Sequence, residues 1–148
     1  MKDITIFSEK RISLKKKNIR KIIEVLIKEL SLKVNFLEFN FVTSETIILI
    51  NKEHLEHNFS TDIITFDYSS EKNILDGEIF ISLPDAEENS KKYKVSVDNE
   101  LSRLIIHGIL HLIGYDDITP AKRKKMKLVE DEFVKKLEKY SKNLIVRK

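Results

Sequence analysis

Between residues 15 and 42 the chain changes its hydrophobic period within two residues, and that switch limits the folds open to it. Ile19, Ile22, Ile23, Leu26, Ile27 and Leu30 fall on one stripe of a helix over residues 15–31. The segment that follows, KVNFLEFNFV (33–42), is rich in β-branched and aromatic residues and short enough for a strand. A helix with one apolar stripe needs a surface to bury it on, and a neighbouring strand begins the sheet that supplies it.

The rest of the chain is divided in the same way. DITIFS (3–8) alternates apolar and polar residues as a first strand. Thr43 and Ser44 are placed to cap a short helix through about Leu55, with Glu45 suited to its positive end. TDIITFDY (61–68) and DGEIFISL (76–83) read as two more strands, and the polar SSEKNIL between them predicts an antiparallel hairpin. Pro84 breaks the second of these, and residues 85–94 read as a charged surface helix. Ser96 caps a helix to about Leu112 whose Val97, Leu101, Leu104, Ile105 and Ile109 face the core. Gly114 lies just beyond, where a left-handed residue usually closes a helix. Thr119-Pro120 opens a last helix with a core stripe of Met126, Val129, Phe133, Leu137 and Tyr140. The expected fold class is α+β: a four-stranded mixed sheet packed with about five helices, most of them gathered after the sheet. No repeat, low-complexity tract or Pro/Gly-rich linker divides the chain, so residues 1–148 are expected to form one domain.

Composition narrows the function classes. A chain of 148 residues with 41% hydrophobic and 34% charged residues is globular, not disordered. Without cysteine it has neither disulfides nor thiolate metal sites, which fits a reducing compartment. The N-terminal MKDITIFSEK lacks a signal-peptide core and no run approaches a membrane span, so a cytoplasmic protein without a membrane partner is expected. Net charge is only +3, but Lys15-Lys16-Lys17, Lys91-Lys92 with Lys94, and KRKKMK (122–127) form local basic clusters. Such clusters suit a polyanion, although solvated helix faces also carry them.

The chemistry concentrates in HGILHLIGYDD (107–117). His107 and His111 are four residues apart and point the same way from a helix, so both imidazoles can reach one divalent ion. Gly108 stands where HExxH peptidases carry their glutamate base, which argues against that mechanism. It is also expected to leave room beside the metal for a bulky substrate. Once Gly114 turns the chain, Asp116 or Asp117 can fold back over the histidines as a third ligand. Two imidazoles and one carboxylate leave positions for water or substrate, as catalytic sites require.

This stretch resembles the HGxLHLxGYDH signature of the YbeY family of bacterial ribosomal-RNA maturation endoribonucleases, matching it at every position except the last. STDIITF (60–66) is similar to the family's PTDVLSF strand and GEIFIS (77–82) to its GDIxIS strand. Asn51 matches the asparagine that opens the segment before the first of these, and Glu100-Leu101 the start of the motif helix. The resemblance implies one zinc ion in a cleft between sheet and motif helix, held by His107, His111 and a third ligand at position 117. There Asp117 replaces a histidine, which lowers the charge of the site and makes manganese or iron better competitors. Asp116 matches the family's own aspartate and is expected to support the ligands by orienting the turn. A second departure lies at His54-Leu55, where the family usually has Tyr-Arg. The arginine that would face substrate phosphate is therefore absent, with His54 and His57 as candidate replacements. Thr61 and Asp62 are expected to line the cleft, and Asp62 is the candidate catalytic group that would assist attack in place of a glutamate beside His107; no acid for the leaving group is evident.

The implied function is a single-strand-specific, metal-dependent endoribonuclease acting in late 3′-end maturation of small-subunit ribosomal RNA and in ribosome quality control. Its partners would be ribosomal RNA, the small subunit and assembly proteins, and not DNA. The alternative is a non-catalytic RNA-binding assembly factor with a structural metal. A metallohydrolase of some other substrate rests on the histidine pair alone.

Overall fold

The computed structural model describes residues 3–55, 61–71 and 73–146. Its elements in chain order are β1 (Ile4–Ser8), α1 (Lys16–Glu29), β2 (Lys33–Val42), α2 (Ser44–Leu55), β3 (Ile63–Asp67), β4 (Ile74–Ser82), α3 (Leu83–Tyr93), α4 (Val97–Leu112) and α5 (Pro120–Lys136), followed by a 3₁₀ turn at Glu138–Tyr140. The expected α+β class, four-stranded mixed sheet and five helices are all present. Strand order is β1-β2-β4-β3. β1 and β2 pair in parallel, as do β2 and β4, while β3 and β4 form the predicted antiparallel hairpin.

The helices are less segregated than the sequence suggested, because α1 and α2 lie between strands and serve as connections in the parallel part of the sheet. α1 buries Ile19, Ile22, Ile23, Leu26 and Ile27, the expected stripe, and Leu30 follows the helix half-buried. Alternation along β2 and β4 sends Leu37, Phe39, Phe41, Ile79 and Ile81 into the main core beneath α1 and α4. The opposite face carries a smaller cluster of Val42, Ile47 and Ile64, with Ile50, Phe66 and Phe80 packed against it.

Three helix starts follow their sequence signals. Thr43 Oγ1 accepts from the Thr46 amide, Ser96 Oγ from the Asn99 amide and Thr119 Oγ1 from the Lys122 amide. Pro84 does not precede α3 but lies in its first turn, where its missing N–H costs nothing. β3 is shorter than expected: Thr61 and Asp62 precede it, with Asp62 in a bend. In α5 the stripe also differs. Met126 and Val134 are buried, Val129 and Phe133 only partly, and Leu137 and Tyr140 belong to the turn beyond the helix.

α4 is the central element. Ten of its residues are buried, from Glu100 to Leu112, so it is covered on more than the single face that its apolar stripe predicted. Gly108 explains how closely α4 approaches the sheet. A Cβ at this position would lie 2.9 Å from Ile79 Cδ1 and 3.1 Å from Ile63 Cδ1. This corrects the expectation that Gly108 opens space beside the metal. It is one residue on from His107, about 100° round the helix, and it faces β3 and β4. Alanine there would gain about 1 kcal/mol in helix propensity but must displace Ile79. Gly108→Val has no comparable room and is expected to cost about 1–3 kcal/mol, read as a lower denaturant midpoint at unchanged slope.

Candidate metal centre

The two histidines are presented by the last two turns of α4, and the third group arrives through a specific chain reversal. Gly114 has φ +107° and donates to the His111 carbonyl at 3.1 Å, while the Tyr115 amide donates to the Leu110 carbonyl at 3.0 Å. This pair of bonds is the Schellman closure that a left-handed glycine permits. In the turn that follows, Asp116 Oδ1 accepts from the Ile118 amide at 3.1 Å, and its Oδ2 lies 3.5 Å from Lys122 Nζ. Asp117 is left pointing back at α4. One ligand atom each from His107, His111 and Asp117 lies within 4.8 Å of the others.

The histidine pair fits a shared ion. Their Nε2 atoms face each other at 3.1 Å, with ring planes 68° apart. Two nitrogens on one tetrahedral zinc, at bonds of 2.0–2.1 Å, would sit roughly 3.3 Å apart. His107 Nδ1 is 2.5 Å from Glu130 Oε1. A carboxylate partner places the single proton of a neutral imidazole on Nδ1, which leaves the Nε2 lone pair free for metal. Burial pushes the His111 imidazole below its ordinary value and neighbouring His107 adds to this, while Asp117, Asp116 and Glu130 pull it part of the way back. His111 is thereby kept in the neutral form that ligates.

Glu130 was missed by the sequence reading. It lies in α5, 6% exposed, and its other oxygen accepts from Arg103 Nη1 at 2.6 Å. Arg103 also pairs with Asp131 at 2.7 Å, and Asp131 with Lys127 at 3.2 Å. Burial alone would raise the Glu130 carboxyl, but the hydrogen bonds from His107 and Arg103 outweigh it and hold the group below its ordinary value. One signal was available in the sequence: Glu130 falls one residue after Val129, among the apolar positions of α5. Nothing local marks it as the partner of a histidine 23 residues earlier.

Beside His107 a cavity of about 380 Å³ is lined in part by Asp62, Asn89, Glu100, Arg103, Lys127 and Glu130. Asp62 thus borders the site as expected, whereas Thr61 is not among the lining residues. Burial pushes the Glu100 carboxyl up, and its hydrogen bond from Asn89 partly offsets this. His54 is exposed on α2 and packs edge-on against Phe66, ring centroids 5.5 Å apart, outside this cavity. His57 and the Leu55 side chain lie outside the described residues. Asn51 is buried on α2.

His107, His111 and Asp117 could together hold a metal ion, and His107 also lines a polar cavity, a layout that metal-dependent hydrolases use. Comparison with known proteins agrees. The family described as Endoribonuclease YbeY matches residues 4–138, and the chain belongs to that family. Proteins named Endoribonuclease YbeY are 41% identical over 100 residues in Bacteroides fragilis, covering 68% of this chain and 71% of that protein. One from Parabacteroides distasonis is 38% identical over 114 residues, covering 77% and 80%. A solution structure from Thermotoga maritima superimposes with a TM-score of 0.70 at 26% identity, covering 95% of this chain and 93% of that one.

Since Glu130 serves both His107 and Arg103, a side chain with one acceptor oxygen cannot satisfy both. Glu130→Gln is expected to weaken metal binding at least tenfold in a chelator-competition titration, although position 130 supplies no ligand.

Proposed function

We propose that this chain is a single-strand-specific, metal-dependent endoribonuclease that acts in late 3′-end maturation of small-subunit ribosomal RNA and in ribosome quality control. The observation that carries the reading is the convergence of His107, His111 and Asp117 beside a polar cavity in a chain of this family. We assign those three side chains as ligands of one ion, zinc by preference, with Asp116 and Glu130 holding them in place. The whole chain would act as one domain in the cytoplasm, with ribosomal RNA, the small subunit and assembly proteins as its partners. Among the described residues, no helix is long and apolar enough to cross a membrane.

When bound, a divalent ion supplies Lewis-acid polarisation of a phosphoryl oxygen and makes a neighbouring water more acidic. The protein's own groups do the rest. Glu130 fixes the ring of His107, and the turn at Gly114 delivers Asp117. Asp62 borders the cavity as the candidate to receive a proton from the attacking water. Lys127 and Arg103 line the same cavity, where Glu130 and Asp131 offset their charge.

The basic start of α5 supports a polyanionic substrate. Lys122, Arg123, Lys124, Lys125 and Lys127 occupy its first turns, and no acidic residue does. Cations at the positive end of a helix oppose its dipole, so their clustering there costs stability unless an anion binds. Lys122 and Lys125 border a second cavity with Gly114, Tyr115 and Asp116, which extends this charge alongside the metal turn.

Chelation or His111→Ala is expected to abolish cleavage of single-stranded ribosomal RNA in purified protein, and full activity in metal-free protein would contradict the reading. Leu55, at the place of the family's arginine, favours the second reading of an RNA-binding assembly factor with a structural metal. In that case metal removal lowers the melting temperature while salt-sensitive RNA binding survives and no cleavage occurs. Asp117→His is expected to shift metal preference from manganese towards zinc, measured by competition between the two ions.

A further inference from the structure

The cavity beside His107 is divided chemically along α4. Glu100, Arg103 and His107 lie on successive turns, so Glu100 is roughly 10 Å from the histidine end. At the Glu100 end the walls are acidic and deeply placed. Glu100 is 3% exposed, and its Oε2 accepts from Asn89 Nδ2 at 3.3 Å. The same nitrogen donates to Asp62 Oδ2 at 3.0 Å. Tyr93, at the end of α3, lines the same cavity and is 60% exposed. Lys92 Nζ lies 5.4 Å from the centre of its ring.

These walls repel a phosphate at the Glu100 end and accept a flat, uncharged group that carries hydrogen-bond donors. A volume of about 380 Å³ is within the range of small-ligand pockets. Aromatic faces are where single-stranded RNA places its unstacked bases, and carboxylates accept from exocyclic amino groups.

We propose that this cavity is a nucleobase subsite, in which one base of single-stranded RNA stacks on Tyr93 and donates its exocyclic amino group to Glu100. The proposal rests on the ribonuclease reading above and adds a preference to it. Adenine, cytosine and guanine carry the required amino group. Uracil turns a carbonyl oxygen towards the carboxylate and is disfavoured.

The test uses zinc-loaded protein and cleavage-resistant, phosphorothioate-linked RNA octamers, with dissociation constants read by fluorescence anisotropy. An all-uridine octamer is compared with octamers carrying one central adenosine or cytidine. The single amino-bearing base is expected to tighten binding about tenfold. Tyr93→Ala should weaken the favoured octamers about tenfold, while Tyr93→Phe, which keeps the ring, should not. Glu100→Gln should move the preference towards uridine, because the amide can donate to the uracil carbonyl. That readout is a ratio within one protein, which a general loss of stability would not reverse. Tight but base-blind binding by the unmodified protein, unaffected by Tyr93→Ala, overturns the subsite and leaves the ribonuclease reading standing. Failure of every octamer to bind overturns both.

Discussion

Glu130 occupies a position that carboxylates normally avoid, and the setting of the His107 ring depends on the way it is satisfied there. Its two oxygens are divided between His107 on one side and Arg103 on the other, which ties α5 to two consecutive turns of α4. A buried carboxylate without such partners would cost several kcal/mol and would take up a proton. With them it remains ionised, holds the imidazole in one tautomer and directs Nε2 towards His111. The His107 ring that faces His111 is therefore set by an ion pair that lies outside the proposed ligand set.

The second requirement is that α4 be immobile. It is buried over most of its length, and Gly108 lets it settle directly onto Ile63 and Ile79. Gly114 then stops it one turn after the histidines, so Asp117 returns over its end. The glycine at 108 belongs to packing and the glycine at 114 to chain reversal. Placing the proposed ligands on a buried helix and a hydrogen-bonded turn would keep their spacing nearly independent of substrate.

Much of this could be read along the chain because the governing signals are local. The stripe of α1, the caps at Thr43, Ser96 and Thr119, and the stop at Gly114 each depend on a few neighbouring residues. The pair His107/His111 follows from helical periodicity, and the resemblance of 107–117 supplied the third position. The unpredicted features come from tertiary contact. Glu130 acquires its role only because α5 crosses α4, and the close packing at Gly108 exists only because β3 and β4 lie beneath it. The cavity wall combines α3, α4, α5 and the bend before β3, and no window of sequence contains all four. Asp62 was read from a matching segment, whereas Asn89 has no local signature and the place of Glu130 among the apolar positions of α5 does not reveal its partners.

The central claim is that two imidazoles and one carboxylate of this chain hold a single ion. X-ray absorption at the metal edge of stoichiometrically loaded protein tests it directly. The account predicts one ion per chain with two nitrogen scatterers from imidazole at about 2.0–2.1 Å, one carboxylate oxygen from the protein, and water completing the shell. An all-oxygen shell, or three imidazoles around the ion, would contradict it.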